Sequence, residues 1–254
     1  DLPFDADADV QAIERAGTQV VVRFTEDGEE REERFDRLLA ATGRKPNLDT
    51  LAIENAGLEL DDAGVPRFDP LTMRVGDSHI FIAGDVSNRI PLLHEAADDG
   101  RIAGENAAGW PEVLVHRRRT PLAIVFTDPN IAIAGKSHAE LERMPCDFAV
   151  GEIDFADQGR ARVMGIDRGL LRVYGERGTG LFLGAEMVAP RGEHLAHLLA
   201  WAVQARLDVP TMLAMPFYHP VVEEGLRTAL RDLNAKLRLS PPAPPRSIDC
   251  GPGG

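Results

Sequence analysis

A histidine, a proline and two glutamates fall together in MPFYHPVVEEGLRTALRDL, residues 215–233. Proline is favoured in the first turn of a helix. A helix opening near Pro220 would therefore put His219 at its cap and Glu224 one turn inside. A carboxylate bonded to one ring nitrogen fixes a histidine's tautomer and favours the imidazolium. The other nitrogen can then take a proton from a thiol and return it. The same spacing serves a capping or interface histidine, and the pair alone does not choose between these.

A second constellation is IFIAGDVS, where Gly84 and Asp85 close an apolar run. A carboxylate there can accept hydrogen bonds from two hydroxyls of a polyol, and glycine lets a ligand approach the backbone closely. An ordinary turn or helix-capping aspartate is the alternative. A third begins at Pro91, where a helix start would present free N–H groups to negative charge. That suits the pyrimidine edge of an anionic reduced flavin, and equally a plain helix start. His194 and His197 share a helix face but lack a carboxylate or cysteine ligand at fitting spacing, so no metal site is expected. GERGTG (175–180) is followed by the apolar LFLGAEMV rather than a helix, and reads as a hairpin turn.

The elements that must position these residues change texture along the chain. GTQVVVRF (17–24) reads as a strand, Asp27–Gly28 as a hairpin turn, and FDRLLAATG (35–43) as the apolar end of the same sheet. Gly43 and Pro46 break it. Residues 46–115 are loop-rich up to a predicted strand, HIFIAGD (79–85). A turn and a helix follow, with Leu92, Ala96, Ile102 and Ala103 as its apolar stripe. Strand, loop and helix in that order make an α/β arrangement with a ligand crevice at the strand's carboxyl end. HRRRT (116–120) reads as a linker. Beyond it AIVFT, IAIAG, CDFAVGEIDF, RARVMG, LLRVYGE and LFLGAEMVA alternate with turns as an antiparallel sheet. Helices are predicted over 193–207, over 209–214, and from Pro220 to Leu237, which completes an α+β domain. The tail SPPAPPRSIDCGPGG is expected to be disordered, and no repeat of 20–50 residues is found.

Composition sets the outer limits. The net charge of −13 over 254 residues argues against sequence-independent nucleic-acid binding. No apolar run approaches the roughly 20 residues that span a bilayer, so no membrane association is expected. The two cysteines, Cys146 in an expected strand and Cys250 in the tail, stand too far apart for a short redox or zinc pair. A reducing cytoplasm is the default location. The chain opens on DLPFDADADV without methionine or a secretory segment, and is expected to be a piece of something larger.

Taken in order, LLAATGRKPN, IFIAGDV, LLHEAADDG, IVFTDPNIAIAG and FYHPVVEEGLRTAL resemble the C-terminal half of the pyridine nucleotide–disulfide oxidoreductases, the dihydrolipoyl dehydrogenase branch above all. The resemblance covers about residues 8 to 235. It implies partial FAD/NAD(P)-binding Rossmann-like domains followed by an α+β dimerisation domain. Residues 1–45 would end the NAD-binding domain, 46–117 the FAD-binding domain, 118–237 would dimerise, and 238–254 form the tail.

In that scheme Gly84 and Asp85 meet the ribityl chain of FAD. Pro91, Leu92, Leu93 and His94 run along the flavin pyrimidine, while Gly43 and Val10 lie against NAD. His219 and Glu224 become the acid/base pair, reaching into the partner subunit's site of a homodimer and oxidising a dithiol such as dihydrolipoamide. The family's redox Cys-x4-Cys and its two GxGxxG motifs lie upstream of the matched segments, and none occurs in these 254 residues. The chain alone is therefore expected to be inactive. Tyr218, Val221 and Val222 depart from the commonest family residues, leaving open another reductase of the family, mercuric or glutathione-like. A non-catalytic dimerisation module is the further alternative.

Overall fold

The computed structural model describes residues 7–237; the expected disorder of the tail, and Cys250 within it, lie outside the described residues. The chain divides at Ala52/Ile53 into two compact units.

The first unit is a three-stranded antiparallel sheet of β1 (Asp9–Ala16), β2 (Gln19–Glu26) and β3 (Glu29–Phe35), in that order. The β2–β3 turn forms as the Asp-Gly signal predicts. Asp27 and Gly28 both take positive φ, 53° and 82°, the two-residue turn whose twist matches the flanking strands. Because the turn sets the register, pairing starts at once with Glu26↔Glu29 and runs to Val20↔Phe35. The third strand is thus the charged EEREERF, and Arg23 of β2 pairs with Glu32 on that strand and with Glu14 on β1. The apolar FDRLLAATG expected at the end of this sheet contributes only Phe35 to it, and Leu39 is 89% exposed.

The second unit begins with loops tied by single bridges, Leu60 to Pro66, Phe68 to Val75 and Arg74 to Phe81. HIFIAGD, predicted as a strand, makes only the last of these and then winds into a 3-10 turn over Gly84–Ser87. A strand needs a ladder, and among the described residues one bridge partner lies beside it. The helix α1 (Leu93–Ala108) starts two residues after Pro91. Ile102 and Ala103 are buried as expected, while Leu92 and Ala96 are half-buried. The rest of the inner face is polar, with Glu95, Asp98, Asp99 and Asn106 all buried.

HRRRT is, as expected, an irregular link, running between α1 and the sheet that follows, and those carboxylates anchor it. Arg118 Nη2 stands 2.6 Å from Asp99 Oδ1 and 2.9 Å from Glu95 Oε2, and its Nη1 donates to Pro70 O. Burial draws the Arg118 guanidinium down, but the hydrogen bonds from Asp99 and Glu95 outweigh it and the group is held above its ordinary value.

A five-stranded antiparallel sheet follows, ordered β4 (Leu122–Val125), β5 (Asn130–Gly135), then β8 (Phe182–Ala189), β7 (Leu170–Glu176) and β6 (Phe148–Asp154). Two short helices interrupt it. The first, α2 (His138–Arg143), is closed by a capping box between Ser137 and Glu140, with Cys146 in the loop that follows rather than in a strand. The second, α3 (Gly159–Met164), forms where RARVMG was expected to extend the sheet. Gln158 caps its start and Gly165, in the left-handed region, its end, so the alternation of that stretch was misleading.

The helices α4 (Gly192–Gln204), α5 (Val209–Ala214) and α6 (Glu224–Leu237) follow the sheet. Leu195 and Leu199 of α4, and Leu226, Leu230, Leu233 and Leu237 of α6, bury against Leu171, Val173 and Phe182 of the strands. The α6 spacing is the stripe of a half-buried helix. Gly151 lets β6 come close: a Cβ there would stand 2.4 Å from Ala229 O and 2.5 Å from Leu233 Cβ. This contact sets the height of α6 above the sheet, and with it the residues at the helix start.

Candidate active site

The last helix begins at Glu224 rather than at Pro220, so His219, Pro220 and Val221 form a loop leading into it. That shift leaves Glu224 in the first turn, where a carboxylate is favoured. Its side chain reaches back over the loop. His219 Nδ1 lies 2.9 Å from Glu224 Oε1 and 3.1 Å from Oε2, while the Val221 N–H donates to Oε2 at 3.2 Å. The His219 bond, and after it the Val221 bond, hold the Glu224 carboxyl below its ordinary value. An ionised carboxylate can only accept, so Nδ1 carries a proton and Nε2 of the neutral ring is the acceptor. The ring is 81% exposed. It stands at the edge of an open cavity of about 670 Å3, with Pro220 and Glu224 on its own side and Asp157, Arg160 and Val163 on the other. This arrangement can accept a proton from a group in the cavity and hand it back.

The second set of predicted residues gathers around the start of α1. Gly84 takes φ 76° against that helix, where a Cβ would meet the Ala96 Cβ at 3.2 Å. Its N–H donates to Asp99 Oδ2 at 3.2 Å. Asp85 follows with its side chain at the surface. Pro91, Leu93 and His94 are exposed, Leu92 is half-buried, and Leu92 offers the helix no side-chain cap. An outward carboxylate beside a helix start with uncapped N–H groups is chemically suited to a polyol joined to an electron-rich ring. Gly43 and Val10 belong to the other compact unit. Gly43 has φ 89° and open space beside it, and Val10 pairs with Phe24 and is 54% exposed.

Residues that sequence reasoning did not mark also shape these sites. Gln158, buried between α3 and the His219 loop, donates to Val221 O. Arg118 and Arg89 anchor Glu95 of α1. The basic run opposite an acidic helix face was a visible signal for Arg118; nothing local marks Gln158.

Comparison with known proteins agrees with this architecture. Residues 122–230 match the pyridine nucleotide-disulphide oxidoreductase dimerisation domain, and residues 2–100 match the pyridine nucleotide-disulphide oxidoreductase domain. A dihydrolipoyl dehydrogenase of Haloferax volcanii is 37% identical over 83% of this chain and 44% of its own length. A mercuric reductase of Shigella flexneri is 32% identical over 81% of this chain and 36% of its own. The crystal structure of LpdA from Mycobacterium tuberculosis superposes with a TM-score of 0.74 at 28% identity, over 89% of this chain and 48% of that one.

The chain belongs to the pyridine nucleotide–disulphide oxidoreductase family. Members of the family are flavoproteins that use FAD and NAD(P). The chain spans less than half the length of these three relatives. No helix among the described residues is long and apolar enough to cross a membrane.

Proposed function

We propose that this chain is the C-terminal half of an FAD- and NAD-dependent disulfide oxidoreductase that oxidises a dithiol of the dihydrolipoamide kind. The observation that carries the proposal is the His219–Glu224 hydrogen bond at the edge of an open cavity, on a chain whose motifs follow the family's order. His219 acts as the base. Its Nε2 takes the thiol proton, and the Glu224 carboxylate stabilises the imidazolium that results. The thiolate then passes its electron pair to the family's redox cysteine pair, outside this chain, as the substrate closes to a disulfide. In the reverse direction the same nitrogen returns the proton.

Asp85 would bind the ribityl hydroxyls of FAD, with Gly84 giving them access, while Pro91, Leu92, Leu93 and His94 would border the pyrimidine. Gly43 and Val10 would lie against NAD in the other unit. FAD, when bound, carries the electron pair from the cysteines to NAD+. The dimerisation domain is read as making a homodimer in which His219 serves the partner's site. Its support is the apolar surface at Leu198, Trp201 and Tyr218, of which Trp201 is 67% and Tyr218 79% exposed. The test is His219→Ala in the complete enzyme, expected to slow dithiol oxidation by about 10²–10⁴-fold with flavin content unchanged. Near-normal turnover would end the acid/base role. Assaying the same enzyme with mercuric ion separates the mercuric reductase reading from the dithiol one.

A further inference from the structure

We infer that Gln158 is a positioning residue for the His219–Glu224 pair, acting through the Val221 peptide. Gln158 is 6% exposed, and both ends of its amide are engaged. Its Oε1 accepts the Ala161 N–H at 2.6 Å, and its Nε2 donates to Val221 O at 2.9 Å. The two bonds fix each other. Turning the amide over would set oxygen against the Val221 carbonyl and the NH2 group against the Ala161 N–H, losing both at once.

The Val221 peptide is therefore clamped on its carbonyl side by Gln158, while its nitrogen donates to Glu224 Oε2 at 3.2 Å. The same carboxylate accepts His219 Nδ1. One relay runs from the cap of α3 through Gln158, the Val221 peptide and Glu224 to the imidazole. Gln158 lines the cavity, but both ends of its amide are spent on backbone groups rather than on the ring. It orients the peptide that orients the carboxylate.

The neighbourhood makes this role demanding. Gly225 packs so closely on the segment before α3 that a Cβ there would meet Phe155 Cε1 at 2.9 Å and Gln158 Cγ at 3.4 Å. The start of α6 is thus seated on Phe155 and Gln158 together. His219, by contrast, has a side chain 81% exposed, and among the described residues it is Glu224 that holds its Nδ1. A ring so lightly packed keeps its tautomer only while the carboxylate stays in place.

This inference rests on the acid/base reading of the pair, yet its test needs neither flavin nor turnover. Nitrogen-15 correlation spectra of the histidine rings, recorded on the whole chain in alkaline buffer where imidazole is neutral, report which nitrogen carries the proton. The wild-type chain is expected to show His219 with the proton on Nδ1. Glu224→Leu is expected to lose that form in favour of the Nε2–H tautomer. Gln158→Glu keeps an oxygen for the Ala161 N–H but gives up the donor to Val221, and is expected to lose the Nδ1–H form while circular dichroism stays that of the wild type. Gln158→Met gives up both bonds without burying a charge, and serves with the same expectation should Gln158→Glu fail to fold. If the Gln158 variants keep the wild-type tautomer while Glu224→Leu loses it, the positioning role is overturned and the pair stands. If the wild type itself shows no preference for Nδ1–H, the pair and the relay fall together.

Discussion

Arg118 and Asp99, nineteen residues apart in the chain, are joined by a 2.6 Å hydrogen bond that ties the irregular segment leading into the dimerisation domain to the helix beside Gly84. Asp99 is 3% exposed in its side chain, and its other oxygen takes the Gly84 N–H. Removing one partner of a buried pair leaves the other charge uncompensated, which costs about 3–5 kcal/mol. Arg118→Met should lower unfolding stability by roughly the smaller of these, about 3 kcal/mol, because Arg89 still reaches Glu95 at 2.8 Å. Urea titration of the two chains measures it. A loss within ±0.5 kcal/mol, the range of an ordinary surface substitution, would show that this bond does not hold the link to α1.

Gly151→Ala should be as damaging although it adds one methyl. The new carbon would stand 2.4 Å from Ala229 O and 2.5 Å from Leu233 N, both on α6. Backbone cannot swing aside as a side chain can, so α6 must lift from β6. Overpacking of this kind costs about 1–3 kcal/mol. The His219 loop feeds into α6, so the tautomer of His219 should move with the helix. A variant that melts at the wild-type temperature would show that the sheet absorbs the methyl.

Acid should weaken the native fold through Glu224. Its carboxyl is held below the ordinary value of 4.5, chiefly by the His219 bond and then by the Val221 N–H. A folded value lower than the unfolded one means that the contribution is fully present above the unfolded value. It is lost as pH falls through the folded one. Unfolding curves of the wild type and Glu224→Gln should therefore differ near neutrality and converge in acid. A gap that stays constant from neutrality into strong acid would mean that Glu224 stabilises by shape alone.

What could be read in advance was local. The stripe of Leu226, Leu230 and Leu233, the Asp27–Gly28 turn and the strands around Ile133 and Val173 each follow from neighbours within one element. His219 and Glu224 meet because five residues separate them, a distance a loop and one helical turn can close. The Gln158–Val221 bond spans sixty-three residues, and no periodicity encodes it. RARVMG alternates like a strand, yet Gln158 and Gly165 cap it as a helix. HIFIAGD is apolar enough for a strand but finds a single bridge partner at Arg74. The Ser137–Glu140 capping box, by contrast, is local, three residues apart.

Asp85 offers the sharpest test of the proposed flavin site. It follows Gly84, which packs closely on Ala96 at φ 76°, so the carboxylate's height above α1 is set by backbone. A hydrogen bond to a charged group is worth about 1.5–3 kcal/mol, and each 1.4 kcal/mol is about tenfold in affinity. Asp85→Ala in the complete enzyme should then weaken FAD retention by roughly 10–100-fold. Flavin absorbance remaining after gel filtration at a series of dilutions measures it. The chain by itself should emerge colourless, since on the proposed reading Asp85 and the α1 start supply only part of the flavin's contacts. A yellow preparation of the 254-residue chain that survives Asp85→Ala would put the flavin elsewhere.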